Sequence, residues 1–493
     1  ISTSMDQLFA GSVDGLTNDG SAAESASMGY VGRLKYDYLS KYIIEFSGRY
    51  DGNDNFHPDK RWGFFPAVSA VWMISDENFM QKLNDKNILN SLKLRASYGE
   101  TGISDGVTRF GYMALYNQGA MKEYYNAGNI LNVTFSEGNL VNPLALTWYT
   151  RKSFNVGFDF ASLNNRLEGS LDYFYYKTSG YLMSPNNIYA TTLGKPLPEI
   201  TSGSKHRRAG FELNLRYKEK RGNWYYEIGG NISYYNQLWE QLDSEDLATL
   251  KNPYTRQTHE KDYFYSMYLS DGLFQNKEQI LNSPRPLPST ETSMGDIKYI
   301  DANGDGKIDS NDMRRVGQPS MPHLNYGFDF RVEYKGWSLS ALFQGTGDRY
   351  IAMGQQMQRG DYASVITKFQ ADYWTPENTD ARFPRVTKAG YPNGENNALV
   401  TDFFNMNAKY FRLKNLQISY NLKRDLLKNC NFIQGCRITL SGTNLFTVSD
   451  VLDFTDPEAK MIEPDKIEKN LRSISGASYP VFRTYSLGLN VEF

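Results

Sequence analysis

The residues whose types and spacing dictate a chemistry lie in one stretch, GDIKYIDANGDGKIDSNDMRRVG, between Gly295 and Gly317. Within it Asp301, Asn303, Asp305, Lys307, Asp309 and Asp312 occupy positions 1, 3, 5, 7, 9 and 12 of a twelve-residue calcium loop, with Gly306 at the sharp turn. Calcium takes six to eight oxygen ligands, and alternate side chains of a coiled loop can converge on one point, with a backbone carbonyl, here that of Lys307, among them. Ile308 is expected to pack beneath the loop. The departure from the motif is Asp312, where a bidentate Glu is usual. Pro284, Pro286 and Pro288 upstream argue against a flanking helix, so the segment 301–312 reads as an EF-hand-like loop without its helical pair. Structural Ca2+ acting as a loop staple is the expected cofactor, in preference to a regulatory switch. The bland alternative is an Asp/Asn/Gly turn that binds nothing.

What must position such a loop is legible in the composition. Aromatics make up 14% of the 493 residues, with 36 Tyr and 28 Phe, beside 41 Gly and a mean hydropathy of −0.56. A transmembrane β-barrel reconciles these values: only every second strand residue faces lipid, aromatic girdles mark both interfaces, and long polar loops lower the average. No apolar run reaches the roughly 18 residues that a membrane helix needs. The balance of 53 Lys+Arg against 55 Asp+Glu leaves a net charge of −2, without the basic field that nucleic acid would require. The N-terminal segment ISTSMDQLFAGSVDG has no charged region followed by an apolar one, so either processing removed a signal or the chain is the later part of something longer. Cys430 and Cys436 are close enough in sequence to pair, and two free thiols are equally compatible with their setting.

Alternating segments bounded by turn residues recur along the whole chain. They are Met28–Tyr38, Tyr42–Tyr50, Gly63–Ser75, Leu92–Gly102, Arg151–Ala161, Arg166–Lys177, Ala209–Lys218, Asn223–Tyr235, Asn325–Tyr334, Trp337–Gly345, Tyr410–Leu422, Arg437–Phe446 and Val481–Phe493, about thirteen strands, with a short helix expected over Asp76–Leu83. Phe211, Leu213, Leu215 and Tyr217 alternate with Glu212, Asn214, Arg216 and Lys218, as a lipid face and a lumen face require. A phase change near Lys414 and Asn415 marks a bulge. Very short and very long connections alternate strictly, the signature of periplasmic turns and extracellular loops. On that parity the last strand ends at the periplasm and the calcium loop lies outside the cell. An odd strand number also predicts a wall that this chain cannot close alone.

Taken together, LTWYTRKSFNVGFDFASLNNRLEGSLDYFYYKTSGYL, DGLFQNKEQI, the calcium-loop segment running on through QPSMPHLNYGFDF, DYWTPENTDARFPRV, AKYFRLKNLQISYNL, CRITLSGTNLFT and YPVFRTYSLGLNVEF resemble the SusC/RagA-like TonB-dependent outer-membrane transporters of the Bacteroidota. The resemblance covers nearly the whole chain, 1–493, as the C-terminal portion of the receptor barrel. It implies an all-β, transmembrane antiparallel β-barrel, about the last 13 of 22 strands, with the plug domain not in this chain. It also implies TonB-dependent import of oligosaccharides, or in some members peptides, across the outer membrane. The implied partners are a SusD-like surface lipoprotein that closes as a lid, TonB through the missing N-terminal region, and outer-membrane lipid. Two other classes compete: a barrel enzyme, and a binding or adhesion barrel without transport. For the first, His57, His206, His259 and His323 are scattered among segments that read as polar loops, with no nucleophile elbow or zinc-protease helix, so no catalytic residue is expected. Trp148, Trp239, Tyr263, Tyr265, Tyr268, Trp374, Tyr362 and Phe403 are loop aromatics able to stack on a ligand, and equally able to fill loop cores.

Overall fold

A computed structural model describes residues 24–107, 109, 111–113, 116–126, 129–137, 144–183, 200–201, 203–261, 264–284, 291–353, 371–386, 396–397, 399–428, 430, 432–458, 473–474 and 481–493. Its principal feature is one antiparallel sheet of thirteen strands paired in chain order. The strands are β1 (Ser27–Tyr38), β2 (Tyr42–Asn53), β3 (Trp62–Met73), β4 (Leu89–Ile103), β5 (Tyr149–Ser162), β6 (Leu167–Ser179), β7 (Lys205–Arg221), β8 (Trp224–Gln241), β9 (Leu324–Tyr334), β10 (Trp337–Thr346), β11 (Tyr410–Asn421), β12 (Gly435–Val448) and β13 (Thr484–Glu492). Each expected segment is present. The largest differences are at β7 and β8, which run several residues beyond the expected ends because backbone pairing continues after the alternation of side chains lapses at Arg207-Arg208 and Asn236-Gln237. The expected helix over Asp76–Leu83 is instead two 3-10 turns, Ile74–Asp76 and Asn78–Met80, followed by an α-helix over Gln81–Asp85.

Register explains why the faces separate. On one face, Leu94, Phe158, Leu171, Leu213, Ile232 and Tyr326 fall in a single cross-strand row. A second row carries Ala96, Val156, Tyr173, Phe211 and Tyr234. A slip of one residue would turn every one of these side chains inward, so the apolar band pins the pairing. Many of them are exposed, among them Phe158, Tyr173, Phe211 and Ile232, as a surface solvated by lipid should be. Trp224 and Tyr334 stack at 4.1 Å, and the rings of Trp337 and Tyr420 meet at a tilt, 4.6 Å apart, forming the aromatic girdle at the short-turn end.

The opposite face is polar and cross-linked by charge. Asp159 accepts from Lys93 at 2.6 Å and Arg95 at 2.7 Å, Arg95 reaches on to Asp172 at 2.9 Å, and Lys218 pairs with Glu168 at 2.5 Å. Gly157 lies directly across from Asp172, where a Cβ would collide with the carboxylate and displace it from Arg95.

Connections at one end are mostly tight. The β9–β10 turn is Lys335-Gly336 with φ of 44° and 89°, a pair of left-handed residues whose twist suits a two-residue hairpin. The segments 163–166 and 222–223 are similarly short, while 104–148, 180–204, 242–323, 347–409 and 449–483 leave from the other end. Strict alternation fails once: the connection 54–61 on the long-loop side is shorter than 74–88 on the other, which carries the small helix. The chain's last strand finishes beside Gly435, at the short-turn end, as parity requires. The bulge also falls where expected, with Lys414 left over between Leu413 and Asn415. The first and last strands of the sheet do not pair with each other, so the described wall is open. Among the described residues no helix is long and apolar enough to cross a membrane. Cys430 and Cys436 are both free thiols.

Beyond the long-loop end, two excursions interlock. Residues of 242–323 and 347–409 share one core of Tyr268, Leu273, Ile297, Tyr299, Ile308, Met353, Trp374, Phe383 and Phe404. Asp296, with no exposed surface, receives a bidentate pair of bonds from Arg385 at 2.7 and 3.0 Å and a third from Asn397 Nδ2 at 2.9 Å, which rivets the two excursions together.

Candidate functional site

The segment 301–312 leaves the strand Ile297–Tyr299 and ends in a 3-10 turn, Ser310–Asp312, before the strand Arg314–Gly317. No helix flanks it directly, in keeping with the prolines upstream. Its coil is wound by its own carboxylates. Asp301 accepts from the amides of Gly304 at 2.7 Å, Gly306 at 2.8 Å and Asp305 at 3.3 Å. Asn303 Oδ1 accepts from Asp305 N at 2.9 Å and Asp305 Oδ1 from Lys307 N at 2.9 Å, two successive side-chain turns. Gly304 and Gly306 take φ of 77° and 81°, the left-handed conformation that the sharp reversal demands. Ile308 is buried in the shared core, anchoring the loop from below as expected.

Asp309 and Asp312 have a different part. Asp309 caps the 3-10 turn by accepting from Asn311 N at 2.7 Å. Asp312 has no exposed surface and accepts from three amides, Ala302 at 3.0 Å, Asn303 at 3.3 Å and Asp309 at 2.8 Å. Its short side chain therefore ties the loop's start to its end. Burial opposes ionisation of Asp301, but the amides of Gly306, Gly304 and Asp305 prevail and hold its carboxyl below the usual carboxylate range.

In kind, these donors suit a hard cation: carboxylate, amide and carbonyl oxygens without nitrogen or sulfur. In this structure the carboxylates point at the loop's own amides, and among the described residues no three acidic, histidine or cysteine groups gather closely enough to hold a metal. Each carboxylate has about four acceptor positions, so the amide bonds leave capacity for a cation at Asp301 and Asp305.

The aromatics divide sharply. Trp374 and Tyr268 are core residues of the interlocked loop body, and Phe403 packs edge-on against Phe404. Trp148 lies against Phe56 and Phe65 and donates its indole N–H to the Arg61 carbonyl at 2.9 Å. Tyr265 shares a hydrogen bond with Ser320 at 3.1 Å. Tyr263 and Tyr362 lie outside the described residues. Trp239 differs, because β8 presents it on the polar, inward face near the mouth. There Tyr181 and His206 meet Trp239 edge-on at 5.1 and 4.9 Å, and Tyr149 stacks on Tyr181 at 5.6 Å. Arg208, one inward step from His206, donates to Gln237 at 2.8 Å and lies 4.8 Å over the Tyr235 ring.

Two histidines therefore depart from the expectation of polar loop positions. His206 is a residue of the barrel wall, and His323 is buried, stacked 4.8 Å from Tyr235 with its Nδ1 2.6 Å from the Tyr235 carbonyl. The sequence signal for His206 was its even spacing from Glu212, Asn214 and Arg216, all inward-facing; two intervening arginines concealed it.

Residues 4–445 match the family model "TonB dependent receptor-like, beta-barrel", and the chain belongs to that family of outer-membrane transport receptors. It is 30% identical to a TonB-dependent receptor of Formosa agariphila over 97% of the chain and 47% of that protein. It is 26% identical to the TonB-dependent receptor SusC of Bacteroides thetaiotaomicron over 96% of the chain and 44% of that protein. Among solved structures it resembles the RagAB peptide transporter, with a TM-score of 0.69 at 21% identity over 96% of this chain and 48% of that one. The chain thus spans about half the length of the curated relatives it matches. Membership of this family places the chain in the outer membrane, and 301–312 belongs to the connection 242–323 at the long-loop end of the sheet.

Proposed function

We propose that the chain forms barrel wall and extracellular loops of a TonB-dependent importer of oligosaccharides, working with a SusD-like surface lipoprotein as its lid and with TonB as its energy source. The observation that carries the substrate class is the inward-facing group of Tyr149, Tyr181, His206 and Trp239 at the mouth, whose ring faces suit the apolar faces of sugar rings. Arg208 and Gln237 beside it supply polar groups for hydroxyls. The similarity to SusC supports the lid partner. Transport needs a mouth that binds cargo and a rim that keeps its shape while a lid moves over it. The interlocked core provides that rim.

Trp239→Ala is expected to weaken binding of a cognate labelled oligosaccharide by about tenfold, a loss of about 1.4 kcal/mol, with the barrel still assembled. Equilibrium binding to the purified transporter measures this. If peptides bind instead and the substitution leaves them unaffected, the peptide alternative replaces the glycan reading. Native purification should also bring down the lipoprotein lid.

Loop 301–312 is proposed to hold a structural Ca2+ through Asp301, Asn303, Asp305 and the Lys307 carbonyl, with Asp309 and Asp312 shaping the coil. Bound there, the ion would offset the loop's clustered negative charge. Calcium at 100 times its dissociation constant should stabilise the extracellular body locally by about 2.7 kcal/mol, read as slower protease cleavage within 242–323. The Asp301→Asn/Asp305→Asn variant should lose that protection. Identical cleavage with calcium and with chelator would remove the ion from the proposal.

A further inference from the structure

One row on the lipid-facing side breaks the rule that governs its neighbours. Lys152 on β5 is directly opposite Lys177 on β6, and Lys177 is directly opposite Arg207 on β7. Like charges facing each other across adjacent strands destabilise a sheet, so three in succession require a compensating anion. The structure supplies part of it at the flanks. Glu100, across from Lys152, pairs with it at 3.2 Å, and Glu240 pairs with Lys177 at 2.5 Å and with Arg207 at 3.9 Å, the last too long for a hydrogen bond. Among the described residues three cations thus share two carboxylates, and the three side chains remain 50%, 37% and 42% exposed.

The level of this row decides what can reach it. The next outward-facing row toward the membrane centre carries Tyr98, Phe154 and Tyr175, and the one after it Val156, Tyr173 and Phe211. Those rings begin the apolar band. Two residues along a strand span roughly 6–7 Å, so the cations stand one step above the extracellular aromatic rim, at the depth of the head groups of the outer leaflet. Anionic lipid head groups attract basic side chains at that depth.

We infer that Lys152, Lys177 and Arg207 form a docking site for a phosphorylated glycolipid of the outer leaflet, holding its head-group phosphate against β5, β6 and β7. The phosphate settles between the central Lys177 and its two cationic neighbours, and the acyl chains descend over Phe154, Tyr175 and Tyr173. The reading rests on which face meets lipid, and it holds whatever cargo the lumen carries.

Native mass spectrometry of the purified transporter in detergent, titrated with phosphorylated lipid A or with its enzymatically dephosphorylated form, tests the site. Each cation near an anionic head group is worth about fivefold in affinity, so K152Q/K177Q/R207Q should bind phosphorylated lipid about 100-fold more weakly than the parent. The parent should prefer phosphorylated over dephosphorylated lipid, the triple variant should not, and K152R/K177R/R207K should retain the preference. If the triple variant fails to assemble, judged by heat-modifiable gel mobility, K177Q alone should still show the fivefold loss. Equal binding of both lipids by the parent, or undiminished binding by the glutamine variants, overturns the inference. So does complete displacement of the lipid by millimolar inorganic phosphate, which would mark a site for the free anion.

Discussion

Arg385→Ala should loosen the whole interlocked loop body while the barrel wall stays folded. Arg385 and Asp296 lie on separate excursions of the chain, and their bidentate pair is largely buried, with Asp296 wholly so. Removing the guanidinium strands a carboxylate that, among the described residues, keeps only the Asn397 side chain and the Ser293 amide, at 2.9 and 2.8 Å. Breaking a buried pair from one side costs about 3–5 kcal/mol, because the remaining charge is left without compensation. The loss should fall on Trp374, Phe383 and Ile297, which join the two excursions beside the pair, and should reach loop 301–312 through Ile308. Limited proteolysis would then cut 242–323 and 347–409 far faster, with unchanged heat-modifiable mobility of the barrel. The Asp296→Asn/Arg385→Leu double variant should recover much of the protection, since no charge is left buried. Equal cleavage rates in parent and Arg385→Ala would show that the apolar core holds without the pair.

Arg412→Ala is expected to have an effect of similar size at a different joint. Arg412 is 1% exposed on the inward face of β11 and donates to Thr447 at 2.8 Å, to Asp456 at 2.5 Å and to Glu458. Glu458 also accepts from Lys414 at 2.8 Å and Tyr410 at 2.9 Å, so the bulged residue of β11 serves the same cluster. This binds the segment 449–458 to the wall at the mouth, and its release should cost about 3–5 kcal/mol by the same reasoning. The cluster also has a pH signature. Burial opposes ionisation of Glu458, but Lys414, Tyr410 and Arg412 overcome it and hold its carboxyl below the ordinary value of 4.5. A carboxylate with a depressed folded value contributes stability that is complete above the unfolded value and is lost as pH falls through the folded one. Protease protection of 449–458 should therefore be flat at neutral pH and decline only below about pH 4.5, and Glu458→Gln should abolish that dependence. A decline centred near neutrality would assign the effect to another group.

Much of this molecule follows from period-two alternation, which is a local property of the backbone. Because successive strand residues point to opposite faces, Phe211 to Lys218 alone reveals which side meets lipid. The thirteen strands, the short-turn end and the Lys414 bulge follow from the same signal. Residue spacing at 301–312 is local too, and the Ile308 it set beneath the loop is buried in the shared core. Contacts between distant excursions carry no period. That Asp312 struts the loop, that Trp374 and Tyr268 fill a core, and that Asp296 meets Arg385 depend on how two long connections fold against each other. Register between strands is likewise set by the packing of the whole apolar band, so the tertiary structure alone brought His206 to Trp239 and aligned Lys152, Lys177 and Arg207 in one row.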